Sequence, residues 1–213
     1  MRSWIYDRAV QPLTRQWYRA VLERLEPATR MLDVGIGTGG ALADNADIVH
    51  GRDLSIRGID IDADYVATCT RRMEAAGLSD RVAVSLQSLY DHQDGPYDAV
   101  YFGASFMLMP RPIDALRHAQ ALLADSGRVF FTQTFQGRRS RIAEWGKPLL
   151  VRLTTIDFGA VTYEADFRRI VEEAGLRLDA FEQIGSARLG LEYCLAEGTP
   201  RSPHPGHAAS SPT

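Results

Sequence analysis

The chain has 213 residues, of which 45% are hydrophobic and 24% are charged, and its formal net charge is −3 at pH 7. This length and composition predict one globular domain with a substantial core. They argue against a dedicated nucleic-acid-binding protein, which usually carries a basic excess or a basic stripe. No run approaches the ~20 apolar residues of a transmembrane helix and no secretory signal is visible, so we expect a cytoplasmic protein.

The N-terminal arginines and the two cysteines also bear on where the protein resides. The first 19 residues contain four arginines and one acid. This leaves an organelle transit peptide open as an alternative, although the aromatic content of the segment favours a folded helix. Cys69 and Cys194 lack the spacing of a zinc site or a redox pair. We therefore expect free thiols in a reducing compartment, and no bound metal.

The first predicted element is an amphipathic helix that ends before Pro27. Its apolar residues recur at four-residue intervals: Leu13, Trp17, Val21 and Leu25. We assign residues 1–27 to an N-terminal helical cap.

Strands and helices then alternate along the chain. The predicted strands are Arg30–Val34, Ser55–Asp60, Arg81–Leu86, Tyr97–Gly103 and Gly127–Phe135. The predicted helices cover Thr38–Val49, Tyr65–Ala76, Ile113–Leu123 up to a turn at Asp125–Gly127, and Phe167–Ala174. Gly77 and Gly175 follow two of these helices at the C′ position. Such alternation predicts a doubly wound α/β sheet with parallel strands and right-handed crossovers.

The C-terminal part predicts a β-hairpin rather than another crossover. Strands Arg177–Ile184 and Arg188–Ala196 are separated by the short link Gly185–Ala187, which adds one antiparallel strand to a mostly parallel sheet. The segment 198–213 is rich in Pro, Ser, Gly and His, so we expect a disordered tail there and a single domain over residues 1–197.

A glycine loop follows the first predicted strand and opens the next helix. Its sequence, Gly35-Ile-Gly-Thr-Gly39-Gly40, satisfies the G-x-G-x-x-G pattern of dinucleotide-binding proteins, which by itself is weak evidence. Asp60 ends the second strand, where a carboxylate accepts hydrogen bonds from ribose hydroxyls. Both features fit any cofactor with an adenosine part.

Asp33 distinguishes between these cofactors. A carboxylate two residues before the first glycine repels a pyrophosphate and attracts a ligand that carries an ammonium and a sulfonium. The segment Leu32–Gly39 resembles motif I of the class I S-adenosylmethionine-dependent methyltransferases, and Gly58–Asp60 resembles their second motif. The order of elements over residues 28–197 is also similar to theirs, which implies a Rossmann-like fold with S-adenosylmethionine as the cofactor.

The resemblance implies a role for each matching residue. Asp33 and the loop glycines Gly35, Gly37 and Gly39 correspond to the part that holds the methionine moiety. Asp60 corresponds to the ribose-binding acid, and Ile61 to the residue that packs on adenine. Ser88 stands where the family often has an acid against the adenine amino group, and Leu89 follows it. Gly103, at the end of the fourth strand, completes the predicted cofactor site.

The acceptor is predicted less directly, because the carboxyl ends of strands four and five supply its crevice. Gly103–Phe106 lacks the Asn/Asp/Ser-Pro-Pro-aromatic motif of members that methylate nucleobase amines or Gln side chains. The segment 137–161 is apolar over Trp145–Val161 and predicts a lid. The opening Tyr6-Asp7-Arg8 is distantly similar to methyltransferases of phospholipid head groups and quinones. We expect a small-molecule or lipid-like acceptor, and no nucleic acid.

Several alternatives stay open at this point. Tyr6 is the preferred catalytic residue. Other polar candidates are Tyr18, Ser105, His118, Thr134 and Tyr163. The chain could also be a catalytically silent, S-adenosylmethionine-binding subunit, a protein or RNA methyltransferase, or an oxidoreductase on the same fold. The sequence does not predict the identity of the acceptor or the oligomeric state.

Overall fold

The computed structural model describes residues 14–136, 163–187 and 191–201. Tyr6, the whole predicted lid at 137–161 and the predicted tail from residue 202 onward lie outside these ranges. The first described element is helix α1, residues 14–22. Trp17, Val21 and Leu25 of the predicted apolar stripe are all buried.

Seven strands form a single sheet, in the order β3-β2-β1-β4-β5-β7-β6. They are β1 (Arg30–Val34), β2 (Ser55–Asp60), β3 (Val82–Leu86), β4 (Tyr97–Gly103), β5 (Leu123–Gln136), β6 (Leu176–Ala187) and β7 (Leu191–Pro200). Strands β1 to β5 run parallel to one another, and β7 runs antiparallel between β5 and β6. The predicted doubly wound sheet with one antiparallel strand is therefore confirmed.

Helices cover both faces of this sheet. After α1 they are α2 (Gly40–Ala43), α3 (Ala46–Gly51), α4 (Ala63–Ala75), α5 (Pro112–Ala121) and α6 (Glu164–Glu173), with short 3-10 turns at Leu89–Asp91 and Phe106–Leu108. Gly77 and Gly175 have φ angles of 69° and 85°, in the left-handed region that ends a helix. In the part of the chain that the structure describes, no helix has both the length and the apolar content to cross a bilayer.

Several boundaries differ from the sequence-based expectation. The helix expected over Thr38–Val49 is interrupted at Asp44 and Asn45, where the Asn45 side chain donates to the carbonyls of Arg15 and Ala41. The expected turn Asp125–Gly127 lies within β5, at a shift in its register with β4. The expected hairpin link Gly185–Ala187 belongs to β6, and β7 continues through Gly198 to Pro200 instead of ending at the predicted tail.

Two hydrophobic layers fix the sheet between its helices. On one face the phenylalanines of β5 and α6 pack edge to face, with Phe131 and Phe167 ring centroids 5.2 Å apart, and Phe102 of β4 stacks on Phe131. On the other face α1 to α4 cover Met31, Tyr101 and Phe130. The turn that follows α1 is joined to β6 by an ion pair between Arg24 and Glu182. Because α1 lies over β4 and β1, its side chains reach the carboxyl edge of the sheet.

Candidate active site

Asp33 lies near the carboxyl end of β1 and is fully buried. Its Oδ2 accepts a hydrogen bond of 2.7 Å from the Tyr18 hydroxyl of α1. Its Oδ1 is buried and has no hydrogen-bond partner in the part of the chain that the structure describes. Buried polar atoms are almost always paired, so an unpaired carboxylate oxygen beside a glycine loop is suited to a donor group on a ligand.

Burial and its neighbours set the charge of this carboxyl. Desolvation raises the pKa of Asp33 from 3.8 to about 7, the Tyr18 hydrogen bond opposes that rise, and the Asp60 carboxylate adds to it. Burial and the nearby Asp33 also raise the pKa of Tyr18 well above its usual range, so its hydroxyl is the donor of the pair. A positively charged ligand group next to Asp33 stabilises the ionised carboxylate.

The glycine loop passes very close to the end of β4. Gly35, Gly37 and Gly39 have φ angles of 76°, 60° and 69°. A Cβ added to Gly35 would lie 2.6 Å from the Cβ of Ser105, so only glycine fits there. The Ser105 hydroxyl donates to the carbonyl of Val34 and thereby joins the two strand ends. Ser105, a candidate proton acceptor from the sequence, is therefore buried in a structural contact.

Asp60 holds the other side of the loop. One of its oxygens accepts from the backbone N–H of Gly37 at 2.9 Å, and the other accepts from the N–H of Asp62 at 2.9 Å. Asp62 in turn caps α4 through its side chain. A carboxylate offers about four lone-pair positions, so Asp60 keeps capacity for two further donors, such as ribose hydroxyls.

An apolar surface surrounds this acid. Ile61 is 79% exposed, and Leu86 at the end of β3 is 58% exposed. Tyr65, in the first turns of α4, is also exposed. Large hydrophobic side chains in water are costly, and their concentration at the ends of β2 and β3 fits a flat apolar ligand such as an adenine ring.

Ser88 and Leu89 are held by the protein itself. The Ser88 hydroxyl accepts from the N–H of Tyr90 and caps the 3-10 turn that follows β3. The Leu89 side chain is buried in the hydrophobic layer of β4 and β5. Their predicted cofactor contacts stay predictions. To contact the cofactor, the Ser88 hydroxyl has to make a second hydrogen bond, and Leu89 has to use its backbone.

The acceptor side of the crevice lies at the ends of β4 and β5. Gly103 is half-buried, Ala104 has a φ of 59°, and Leu108 in the following turn is 56% exposed. Gln133, on β5, is buried, and its Nε2 has no hydrogen-bond partner among the described residues. Within the same ranges the buried N–H of Trp17 in α1 is also unpaired, and the Trp17 ring packs against Tyr193 of β7. The end of strand five was expected to line this crevice, but the Gln133 side chain itself was not among the polar candidates.

The remaining base candidates are spread over the structure. His118 of α5 is half-buried, and its Nε2 lies 2.7 Å from the carbonyl oxygen of His92. Tyr163 is half-buried immediately before α6, and Thr134 is half-buried on β5. The described ranges bring none of these three against Asp33, and they contain no cluster of His, Cys, Asp and Glu able to hold a metal ion.

A second cleft lies at the opposite, amino-terminal edge of the sheet. Arg57 and Arg81 line it, together with residues of β2 and β3. These arginines are paired with Asp94 and Asp53 respectively. Because it lies at the opposite edge of the sheet from the glycine loop, this cleft is not part of the site.

The site's own groups fit S-adenosylmethionine. The unpaired Oδ1 of Asp33 suits an ammonium, the spare lone pairs of Asp60 suit ribose hydroxyls, and the exposed side chains of Ile61 and Leu86 suit adenine. All of them lie at the carboxyl edge of β1 to β3, where ligands bind in open α/β sheets.

Comparison with known proteins agrees with this geometry. The family model of the methyltransferase domain matches residues 6–180. The ubiquinone biosynthesis O-methyltransferase of Bordetella bronchiseptica is 27% identical over 187 residues, which are 87% of this chain and 74% of that protein.

Two solved structures share the fold. The cyclase SpnF has a TM-score of 0.71 at 19% identity and covers 92% of this chain and 83% of its own. Geranyl diphosphate methyltransferase in complex with S-adenosylmethionine has a TM-score of 0.68 at 14% identity, with coverage of 87% and 85%. At such identities the likeness concerns the fold, which hosts more than one chemistry. The family model matches most of the chain, and the groups of the site fit this cofactor. The chain therefore belongs to the methyltransferase domain family and is a class I S-adenosylmethionine-dependent methyltransferase.

Proposed function

We propose that this enzyme transfers a methyl group to a hydroxyl oxygen of a small, partly apolar acceptor, either a free small molecule or a lipid-like one. The observation that carries the proposal is that the acceptor end of the sheet offers both an exposed apolar side chain, Leu108, and a buried amide donor, Gln133 Nε2, which has no hydrogen-bond partner among the described residues. The likeness to ubiquinone biosynthesis O-methyltransferases over 87% of the chain supports an oxygen acceptor.

The proposed roles on the cofactor side follow from the contacts above. Asp33 binds the amino-acid part, Asp60 binds the ribose, and Ile61 packs on the adenine. When bound, S-adenosylmethionine supplies a methyl group already activated by its sulfonium. The protein therefore has to hold the acceptor in line with that group and exclude water.

On the acceptor side, the Leu108 side chain contributes an apolar wall, and the Gln133 amide donates to an oxygen of the acceptor. An unsatisfied buried N–H costs about 1–3 kcal/mol, so an acceptor that bonds to Gln133 gains an advantage over one that lacks the oxygen. A hydroxyl acceptor must also lose its proton. Tyr6 remains our proposed residue for this step. It lies outside the described ranges.

We further propose a cytoplasmic enzyme that does not act on nucleic acid. Both cysteines are free and buried, which suits a reducing compartment. The chain carries a formal charge of −3 and lacks the general attraction to phosphates that supplies most nucleic-acid affinity.

Methyl transfer from labelled S-adenosylmethionine tests the proposal. The substrates are phenols and hydroquinones with and without an apolar tail, the same compounds lacking the hydroxyl, an RNA mixture and a protein mixture. We expect label on the hydroxylated small molecules, with more on those that carry the tail. Label confined to RNA or protein contradicts the proposed acceptor class.

Two matched variants locate the acceptor. Leu108 and Leu86 are exposed to nearly the same extent, 56% and 58%, on the two sides of the crevice. Leu108→Ser should raise the KM of the acceptor with little change in cofactor affinity, whereas Leu86→Ser should weaken the cofactor and spare the acceptor KM. The reverse pattern would place the acceptor elsewhere.

A further inference from the structure

We propose that Tyr18 of α1 is a positioning residue for the cofactor: its hydroxyl binds one oxygen of Asp33 and leaves the other free for the cofactor's ammonium. The N-terminal helix would thus take part in cofactor binding without touching the cofactor through this side chain. The inference rests on the proposed role of Asp33 in binding the methionine part.

The geometry restricts Asp33 to one arrangement. The Tyr18 hydroxyl lies 2.7 Å from Oδ2, both side chains are buried, and Oδ1 is left without a partner. Rotation of the carboxyl group would break this hydrogen bond, the only one that the Asp33 side chain makes with the described residues. The free oxygen therefore has a fixed direction, which is what a ligand-binding carboxylate needs before the ligand arrives.

A second tyrosine fixes Tyr18 itself. The rings of Tyr18 and Tyr101 pack edge to face, with centroids 5.0 Å apart and an interplanar angle of 89°. The Tyr101 hydroxyl in turn lies 2.6 Å from Oγ1 of Thr132 on β5. Tyr101 therefore buttresses Tyr18 but makes its own hydrogen bond to a different residue.

The charges around Asp33 give Tyr18 a measurable effect. The groups that face this carboxyl are Tyr18 from α1, Asp60 from β2, Tyr101 from β4 and Cys69 from α4. Burial raises the pKa of Cys69 to about 12 and raises the pKa of both tyrosines, so these three groups stay neutral near pH 7. The Tyr18 hydrogen bond lowers the pKa of Asp33, which is about 7, against the effect of burial.

Removal of the Tyr18 hydroxyl should therefore keep Asp33 protonated to a higher pH. A protonated carboxyl does not attract an ammonium. For a pKa that rises by one unit, the ionised fraction falls about tenfold near pH 6 and about twofold near pH 8. A merely structural role for Tyr18 would weaken binding equally at both pH values.

The experiment is calorimetric titration of the full chain with S-adenosylmethionine near pH 6 and near pH 8. Tyr18→Phe is compared with the wild type and with Tyr101→Phe, which removes a buried hydroxyl from the same cluster but not the one bound to Asp33. 5′-Methylthioadenosine, which has the adenosine part without the ammonium, serves as the control ligand. Circular dichroism confirms that each variant is folded.

We expect Tyr18→Phe to weaken S-adenosylmethionine binding about tenfold near pH 6 and about twofold near pH 8. Tyr101→Phe should change the affinity for S-adenosylmethionine by a similar, small factor at both pH values. Neither variant should alter the pH dependence of methylthioadenosine binding. An equal loss at both pH values in Tyr18→Phe overturns the inference. If Tyr18→Phe does not fold, Asp33→Asn is measured in its place. A pH dependence of S-adenosylmethionine binding that persists in Asp33→Asn also overturns the inference. Failure of the wild type to bind S-adenosylmethionine would instead contradict the proposed function.

Discussion

Asp60→Ala removes a carboxylate that has two tasks in this structure. The side chain accepts from the backbone N–H groups of Gly37 and Asp62, and so it holds both the glycine loop and the start of α4. It also keeps lone pairs for the ribose hydroxyls proposed above. The substitution therefore acts on the fold and on the cofactor, and the two effects must be separated.

The expected magnitudes differ for the two tasks. Asp60 is half-buried, so water replaces part of each lost bond, and we take about 1 kcal/mol for each of the two backbone contacts. The unfolding free energy should fall by roughly 2 kcal/mol. Lost hydrogen bonds from the ribose to a charged group are worth about 1.5–3 kcal/mol, which corresponds to a ten- to hundredfold loss of affinity for S-adenosylmethionine.

Asp62→Ala is the matched control, because it removes the same charge two residues away. The Asp62 side chain caps α4 by accepting from the N–H groups of Asp64 and Tyr65. Its loss should cost about 1 kcal/mol of stability and leave cofactor affinity within about twofold. Urea unfolding gives the first quantity and calorimetry the second. Equal losses of affinity in the two variants would falsify the ribose assignment, since they would trace the effect to the loop and helix start alone.

Three further predictions concern the same edge of the sheet. The pKa of Asp33 is about 7 in the folded chain and 3.8 in the unfolded chain, so ionisation of Asp33 lowers the stability as the pH rises between these values. Asp33→Asn removes this loss, and in urea titrations its unfolding free energy relative to the wild type should increase by at most about 4 kcal/mol from pH 4 to pH 8; a difference that does not change with pH refutes the point. Gly35→Ala places a Cβ 2.6 Å from that of Ser105 at a φ of 76° and should cost about 1–3 kcal/mol, with part of the loss recovered in the double variant that also carries Ser105→Gly; no recovery means that backbone strain alone is responsible. Activity should survive dialysis against a chelator, because the described ranges hold no group of metal ligands; activity that is lost and then restored by Mg²⁺ or Zn²⁺ contradicts this.

Much of the fold follows from local patterns. The bounds of β1, β2 and β4 agree with the sequence-based prediction to the residue, because each is a short segment with apolar residues that lies between turn-forming stretches. Gly77 and Gly175 mark the ends of α4 and α6, since only residues that tolerate a positive φ continue the chain there. The acids Asp33 and Asp60 were predicted from their positions relative to the glycine loop.

The errors lie where tertiary contacts override local sequence. Gly185–Ala187 has the composition of a turn, yet its backbone pairs with β7, and β7 itself extends into the segment expected to be disordered. The helix expected over Thr38–Val49 breaks at Asn45, whose side chain bonds to Arg15 of α1. Each of these outcomes depends on a partner segment that no local pattern contains.

The sequence alone determined the class of fold, the glycine loop and the two acids, because short-range periodicity and spacing encode them. Only the tertiary structure decided which contacts those acids make. The Tyr18 hydroxyl meets Asp33 only because α1 crosses the sheet, and Ser105 meets Gly35 only because β4 lies next to β1. The unpaired amide of Gln133 likewise depends on the packing around β5. The surroundings of a side chain determine its charge, its pKa and which of its polar atoms stay free to form hydrogen bonds. Those surroundings form only when residues far apart in the chain are brought together.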